Sequence, residues 1–120
     1  VAKVLIVDDS ATDREVTVTA LAGAGHVITQ MDGGAKVFDA VLASPPDIIL
    51  LDVVMADMNG FQVCRKLKKD DRTKGVPVVL VTSKSGDADK SWGQAQGADA
   101  YLTKPINATE LKNVIKTLAR

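Results

Sequence analysis

The sequence predicts an α/β fold in which five βα units build a doubly wound, five-stranded parallel sheet. Two observations carry that reading. Five short runs rich in β-branched and aliphatic residues punctuate the chain, and segments with helical spacing or helix-capping residues separate them. No repeat, linker or low-complexity stretch breaks the alternation, so residues 1–120 read as one domain.

The first run, Val4–Val7, is continuously apolar, as a strand buried on both faces would be. Ser10, with Asp13 three residues on, reads as a capping box opening the first helix, and Gly23 and Gly25 close it. Val27–Thr29 is the second strand. Phe38, Val41 and Leu42 mark the second helix, which stops at Pro45–Pro46. Ile48–Leu51 is the third strand; Phe61, Cys64 and Leu67 mark the third helix, with Asn59 suited to cap it. The fourth strand is read as Val76–Val81, and its helix ends at Gly97. Ala100–Thr103 closes the sheet, and Leu111, Val114, Ile115 and Leu118 follow the i, i+3, i+4, i+7 pattern of a last amphipathic helix.

Composition narrows the function. Fifteen basic and fifteen acidic residues cancel, so no bulk field attracts nucleic acid or an anionic membrane. The single cysteine, Cys64, excludes an internal disulfide and a cysteine-based zinc site, and suits a reducing compartment. No apolar run approaches the roughly 20 residues of a membrane span and no signal peptide is visible, so a cytoplasmic location is expected. The chain opens on Val1 rather than Met, as a trimmed chain or one cut from a longer protein would.

In an open parallel sheet, ligands bind beyond the carboxyl ends of the strands. Asp8 and Asp9 follow the first strand, Asp52 the third, Thr82 and Ser83 the fourth, and Lys104 the fifth. Three carboxylates at one edge repel, by on the order of 4 kcal/mol per pair at 4 Å and intermediate dielectric. A hard divalent cation between them removes that cost, and magnesium suits oxygen ligands completed by water and phosphate. Asp9 and Asp52 would hold it, with Asp8 positioning a water. Asp52 is then a competent nucleophile for phosphoryl transfer, and Lys104 and the Thr82 hydroxyl could hold the remaining phosphoryl oxygens.

These residues carry a resemblance. The chain resembles the response-regulator receiver domain of two-component signalling over essentially its whole length. The motifs are Asp8–Asp9, Asp52 in "LLDVVMADMNG", Thr82 in "LVTSKS" and Lys104–Pro105 in "YLTKP". A softer similarity, on Asp89, Lys90, Trp92, Gly93 and Gln96, is to stand-alone regulators of type IV pilus twitching motility. The resemblance implies a flavodoxin-like strand order 2-1-3-4-5 and phosphorylation of Asp52 by a sensor histidine kinase with magnesium as cofactor. It adds the Val54 backbone carbonyl as a metal ligand, a cis Lys104–Pro105 bond, and Tyr101 as a rotamer switch acting with Thr82. A downstream protein would be met at the face of the fourth helix, fifth strand and fifth helix, as in chemotaxis or twitching motility. Such a protein is a phosphoacceptor that assists its own phosphorylation and dephosphorylation rather than an enzyme. Val54 and Lys84, each two residues beyond a site residue, are expected to line the approach of the hydrolytic water. The chain departs from the family pattern at Ala56, where proline is common, and at Asn59, where aspartate is common. Alanine is expected to loosen that loop.

Plainer readings compete at several positions. Asp57 reads as a loop residue, His26 as structural, Cys64 as inert core, and Met31, Met55 and Met58 as gap-fillers. Tyr101 could simply pack in its strand, and Trp92 could pack or meet a partner. Arg65, Lys66, Lys68 and Lys69, balanced by Asp70 and Asp71, read as a solvated helix face. Phosphatases of the haloacid-dehalogenase type are the main rival, but they place the nucleophile in a DxD pattern after the first strand, where this chain has Asp8–Asp9–Ser10. A flavodoxin-like phosphate-binding module would want a glycine- and hydroxyl-rich loop there instead. A degenerate receiver used only for contacts would not need the intact acidic cluster.

Overall fold

The structure, a computed structural model, describes residues 1–119. Strands β1 (Lys3–Val7), β2 (Val27–Met31), β3 (Ile48–Leu51), β4 (Val78–Thr82) and β5 (Ala100–Thr103) alternate with five helices. These are α1 (Ala11–Ala20), α2 (Val37–Ala43), α3 (Gly60–Lys69), α4 (Asp87–Ala95) and α5 (Ala108–Leu118). All strands are parallel, in the order β2-β1-β3-β4-β5. The sheet is the expected one, and β1 is central enough to be buried from Val4 to Val7.

Strand pleating sorts the core into two layers. Leu5, Val7, Ile49, Leu51, Val78 and Leu80 face α2 and α3 through Val37, Val41, Cys64 and Leu67. Val4, Ile6, Ile48, Leu50, Val79, Val81 and Leu102 face the other way, onto Leu21 after α1 and onto Leu111 and Ile115 of α5. The same alternation, carried past the strand ends, puts residues 8, 52 and 104 on the α1–α5 side. Thr82 and Tyr101 fall on the side of α4.

The boundaries differ most from expectation in three places. β4 begins at Val78, not Val76, because Pro77 has no N–H for the ladder and Val76 turns back to bond Thr73. β2 runs on through Gln30 and Met31, paired with Ile6 and Val7; this edge strand is mostly exposed, so polar residues hide its length. α1 stops at Ala20, and Gly23 and Gly25 serve the following turn with φ of +83° and +78°. Ser10 and Asn59 cap α1 and α3 as expected, accepting from Asp13 N and Phe61 N. Only half of the capping box forms, since Ser10 N donates to Asp8 and not to the Asp13 side chain.

Among the plainer readings, His26 is structural, its Nδ1 accepting from Ala2 N at 3.0 Å. Burial pushes the Cys64 thiol up to about 11, keeping it protonated and inert. The basic run of α3 is not simply solvated. Lys68 pairs with Asp99 at 3.0 Å and caps the Val76 carbonyl, while Lys66 lies 4.6 Å from the Phe38 ring centre. Asp70 and Asp71 pair with Arg72 and Lys74 instead of with that run.

Candidate functional site

The ladder delivers the site residues. Past the last residue of β1, Asp8 N donates to Met31 O, while Asp52 N donates to Val7 O and Lys104 N to Thr82 O. Three chain segments far apart in sequence therefore end at one level. Carboxylate oxygens of Asp8, Asp9 and Asp52 all lie within 4.8 Å of one another. Asp8 and Asp52 are buried, at 5% and 7% exposure, and Asp9 is exposed at the rim. The donor set is all oxygen, compact and open on one side, which fits magnesium and not a soft metal.

Lys104 supplies the counter-charge. Its Nζ lies 2.7 Å from Asp8, 2.9 Å from Asp13 and 3.4 Å from Asp52. Burial alone would lower its pKa, but hydrogen bonds to Asp13 and Asp8 and the nearby carboxylate charges raise it above the ordinary lysine value. Burial raises the Asp52 carboxyl above its usual value; the Lys104 charge opposes this and the Asp8 charge adds to it. The Lys104–Pro105 bond is cis, as expected.

Thr82 is fully buried and its Oγ1 accepts from Lys84 N at 3.3 Å. The Tyr101 hydroxyl donates to the carbonyl of that same Lys84, at 2.5 Å. Tyr101 is therefore more than strand packing: residue 84 ties it to Thr82 through two backbone groups. Its ring is pinned by α4, where a Cβ on Gly93 would stand 3.0 Å from Tyr101 Cδ2. Burial, then the Asp89 and Asp52 charges, raise its phenol pKa. Trp92 is 54% exposed, so it does not pack in the core. Val54 and Lys84 are exposed, three residues beyond β3 and two beyond β4.

Three residues play parts that the sequence hid. Asp13, read only as part of a cap, brings a further carboxylate to Lys104. Ala56 does not simply loosen its loop: its N–H donates to Asp9 at 2.8 Å, a bond that proline could not make. Asp57 is no idle loop residue, since it accepts from Gly34 N at 3.1 Å and Ala35 N at 3.0 Å. Those bonds hold its carboxyl below the usual range. They also tie the loop after β3 to the loop after β2.

Comparison with known proteins agrees with this arrangement. Residues 4–116 match the model of the response regulator receiver domain. The chain is 41% identical to protein PilH of Pseudomonas aeruginosa, covering 98% of both chains. It is 43% identical to response regulator PleD of Caulobacter vibrioides, covering 99% of this chain but only 26% of PleD. The fold superposes on the Vibrio cholerae chemotaxis protein CheY4 with a TM-score of 0.87 and 29% identity, covering 98% of each chain. A family model that spans nearly the whole chain, and meets the acidic cluster, Thr82 and Lys104 at one sheet edge, places this protein among the response regulator receiver domains.

Proposed function

We propose that this receiver domain is a magnesium-dependent phosphoacceptor switch in which Asp52 takes a phosphoryl group from a sensor histidine kinase. The observation that carries it is the convergence of Asp8, Asp9 and Asp52 on one small volume with Lys104 Nζ beside them. An Asp52 oxygen attacks phosphorus; the P–N bond of the phosphohistidine breaks as the P–O bond forms, and the imidazole leaves. Asp8, Asp9 and Asp52, with the Val54 carbonyl as a further oxygen, would hold magnesium. When bound, that ion supplies the positive charge that lets an anionic phosphoryl group approach three carboxylates. Lys104 offers an N–H to one phosphoryl oxygen and Thr82 its hydroxyl to another. The chain acts as a substrate and switch that assists its own phosphorylation and dephosphorylation, not as an enzyme turning over free ligands. The likeness to protein PilH and to the chemotaxis protein CheY4 supports a role in chemotaxis or twitching-motility signalling.

The paired bonds at Lys84 support an output route. A Thr82 hydroxyl turned toward the phosphoryl group no longer favours the Lys84 N–H, and the carbonyl holding Tyr101 loses its anchor. Tyr101 is then free to turn inward, changing the surface of α4, β5 and α5 that a downstream protein meets. Thr82→Ala is expected to leave phosphorylation intact and to leave the Tyr101 ring resonances unmoved by it. A Tyr101 shift of the unmutated size in that variant would break the relay.

Beryllofluoride, a phosphoryl mimic, tests the metal assignment, with Trp92, the sole tryptophan, as fluorescent reporter. Binding is expected only with magnesium present, and Asp9→Ala should weaken it at least about tenfold, the loss typical of a removed charged ligand contact. Metal-independent binding, or an Asp9→Ala variant that binds as tightly as the unmutated chain, would contradict the proposal.

A further inference from the structure

We propose that Asp13 is a positioning residue that holds Lys104 in a resting place, so that a phosphoryl group on Asp52 must compete with Asp13 for the lysine. The inference rests on the phosphoacceptor reading of Asp52 and adds a control on it. Lys104 has three N–H donors, and all three are engaged: by Asp8 at 2.7 Å, Asp13 at 2.9 Å and, most loosely, Asp52 at 3.4 Å. The longest contact, to Asp52, passes to the phosphoryl group itself, and to close on a phosphoryl oxygen the ammonium must loosen one of the two shorter bonds. Asp8 is nearly buried, with 7% of its side chain exposed, so little water is at hand to replace the lysine there. The Asp13 side chain is 44% exposed, so water replaces the lysine there at little cost. Asp13 is therefore the partner that yields.

The geometry also shows that this carboxylate has no other task. The helix cap uses the Asp13 backbone N–H, and Thr17 Oγ1 bonds its backbone carbonyl, while the carboxylate reaches only to Lys104 among the described residues. Its position follows from strand parity, since residues 8, 52 and 104 point to the α1 side of the sheet and Asp13 sits in the first turn of α1. The side chain can thus be changed without disturbing the helix start.

The test measures beryllofluoride affinity, with magnesium, and the rate of phosphorylation by acetyl phosphate in four proteins: unmutated, Asp13→Asn, Asp13→Glu and Glu15→Gln. Asn keeps the shape but offers the lysine only a neutral oxygen and so holds it more weakly, and both quantities should rise by up to about fivefold, the upper range for an exposed ion pair. Asp13→Glu retains a carboxylate within reach and should stay near the unmutated values. Glu15→Gln removes the same charge from the same helix, at an exposed position, and should change neither. Equal gains in Asp13→Asn and Glu15→Gln would reduce the effect to bulk charge and overturn the proposal, as would no gain in Asp13→Asn. An unmutated chain that takes up no phosphoryl group would instead overturn the phosphoacceptor reading itself, and this proposal with it.

Discussion

Gly60→Ala is expected to lower stability by about 3 kcal/mol or more, at the top of the range for an added methyl in a packed site. A Cβ at this first residue of α3 would stand 2.0 Å from the Asp52 carbonyl oxygen and 2.7 Å from Val53 Cα. Both are backbone atoms, so no side-chain rotation relieves the contact. Gly60 N also donates to Val53 O at 2.8 Å, which holds the start of α3 against the end of β3. The substitution must open that junction, moving the backbone that carries Asp52. Urea unfolding measures the effect, and weaker beryllofluoride binding should accompany it. Gly75→Ala is the control, because a Cβ there meets nothing within 4 Å and φ lies outside the left-handed region. A Gly60→Ala midpoint equal to that of Gly75→Ala would show that the junction is not tight.

Lys104→Met should have the second large effect, destabilising the magnesium-free protein by roughly 3 kcal/mol, the low end for breaking a buried pair. Asp8 and Asp52 are left facing each other with little water and no cation. The exposed Asp13 contact adds little to that figure. The pH dependence has a definite sign. The Asp52 carboxyl is already raised in the folded state, and without Lys104 the main influence lowering it is gone. A raised carboxyl means that the folded protein binds the proton more tightly than the unfolded chain does. The Asp52 contribution to stability is therefore fully present below the unfolded value near 3.8 and is lost as pH rises from there through the folded pKa. Lys104→Met should steepen and extend that fall, and added magnesium should recover much of the loss at neutral pH. Denaturation midpoints from pH 4 to 8, with and without magnesium, measure both. A variant as stable as the unmutated chain at neutral pH without metal would show that Lys104 does not neutralise the cluster.

The strand centres were legible because burial on both faces demands unbroken apolar runs, as in Val4–Val7 and Ile48–Leu51. The residues just beyond them followed directly, since a parallel sheet gathers its strand ends at one edge. Hence the sequence places Asp8, Asp9, Asp52, Thr82 and Lys104 together at that edge. What stayed hidden depends on tertiary approach or on backbone donors. Asp13 meets Lys104 across 91 residues, and its spacing from Ser10 explained it locally, which masked the second role. Strand parity was the signal that could have exposed it. Asp57 bonds two backbone N–H groups in another loop, and backbone donors leave no trace in residue identity. The Ala56 bond to Asp9 is invisible in the side chain, because alanine contributes an N–H that proline lacks. Gln30 and Met31 give no strand signal because an edge strand need not be apolar.

The central claim is that Asp52 is the phosphoacceptor, and intact-mass measurement after incubation with acetyl phosphate and magnesium tests it most directly. The unmutated chain is expected to gain one phosphoryl group with magnesium present, to gain none when magnesium is left out, and to gain none as Asp52→Asn. A phosphoryl group that persists in Asp52→Asn, or that forms equally well without magnesium, would contradict the account.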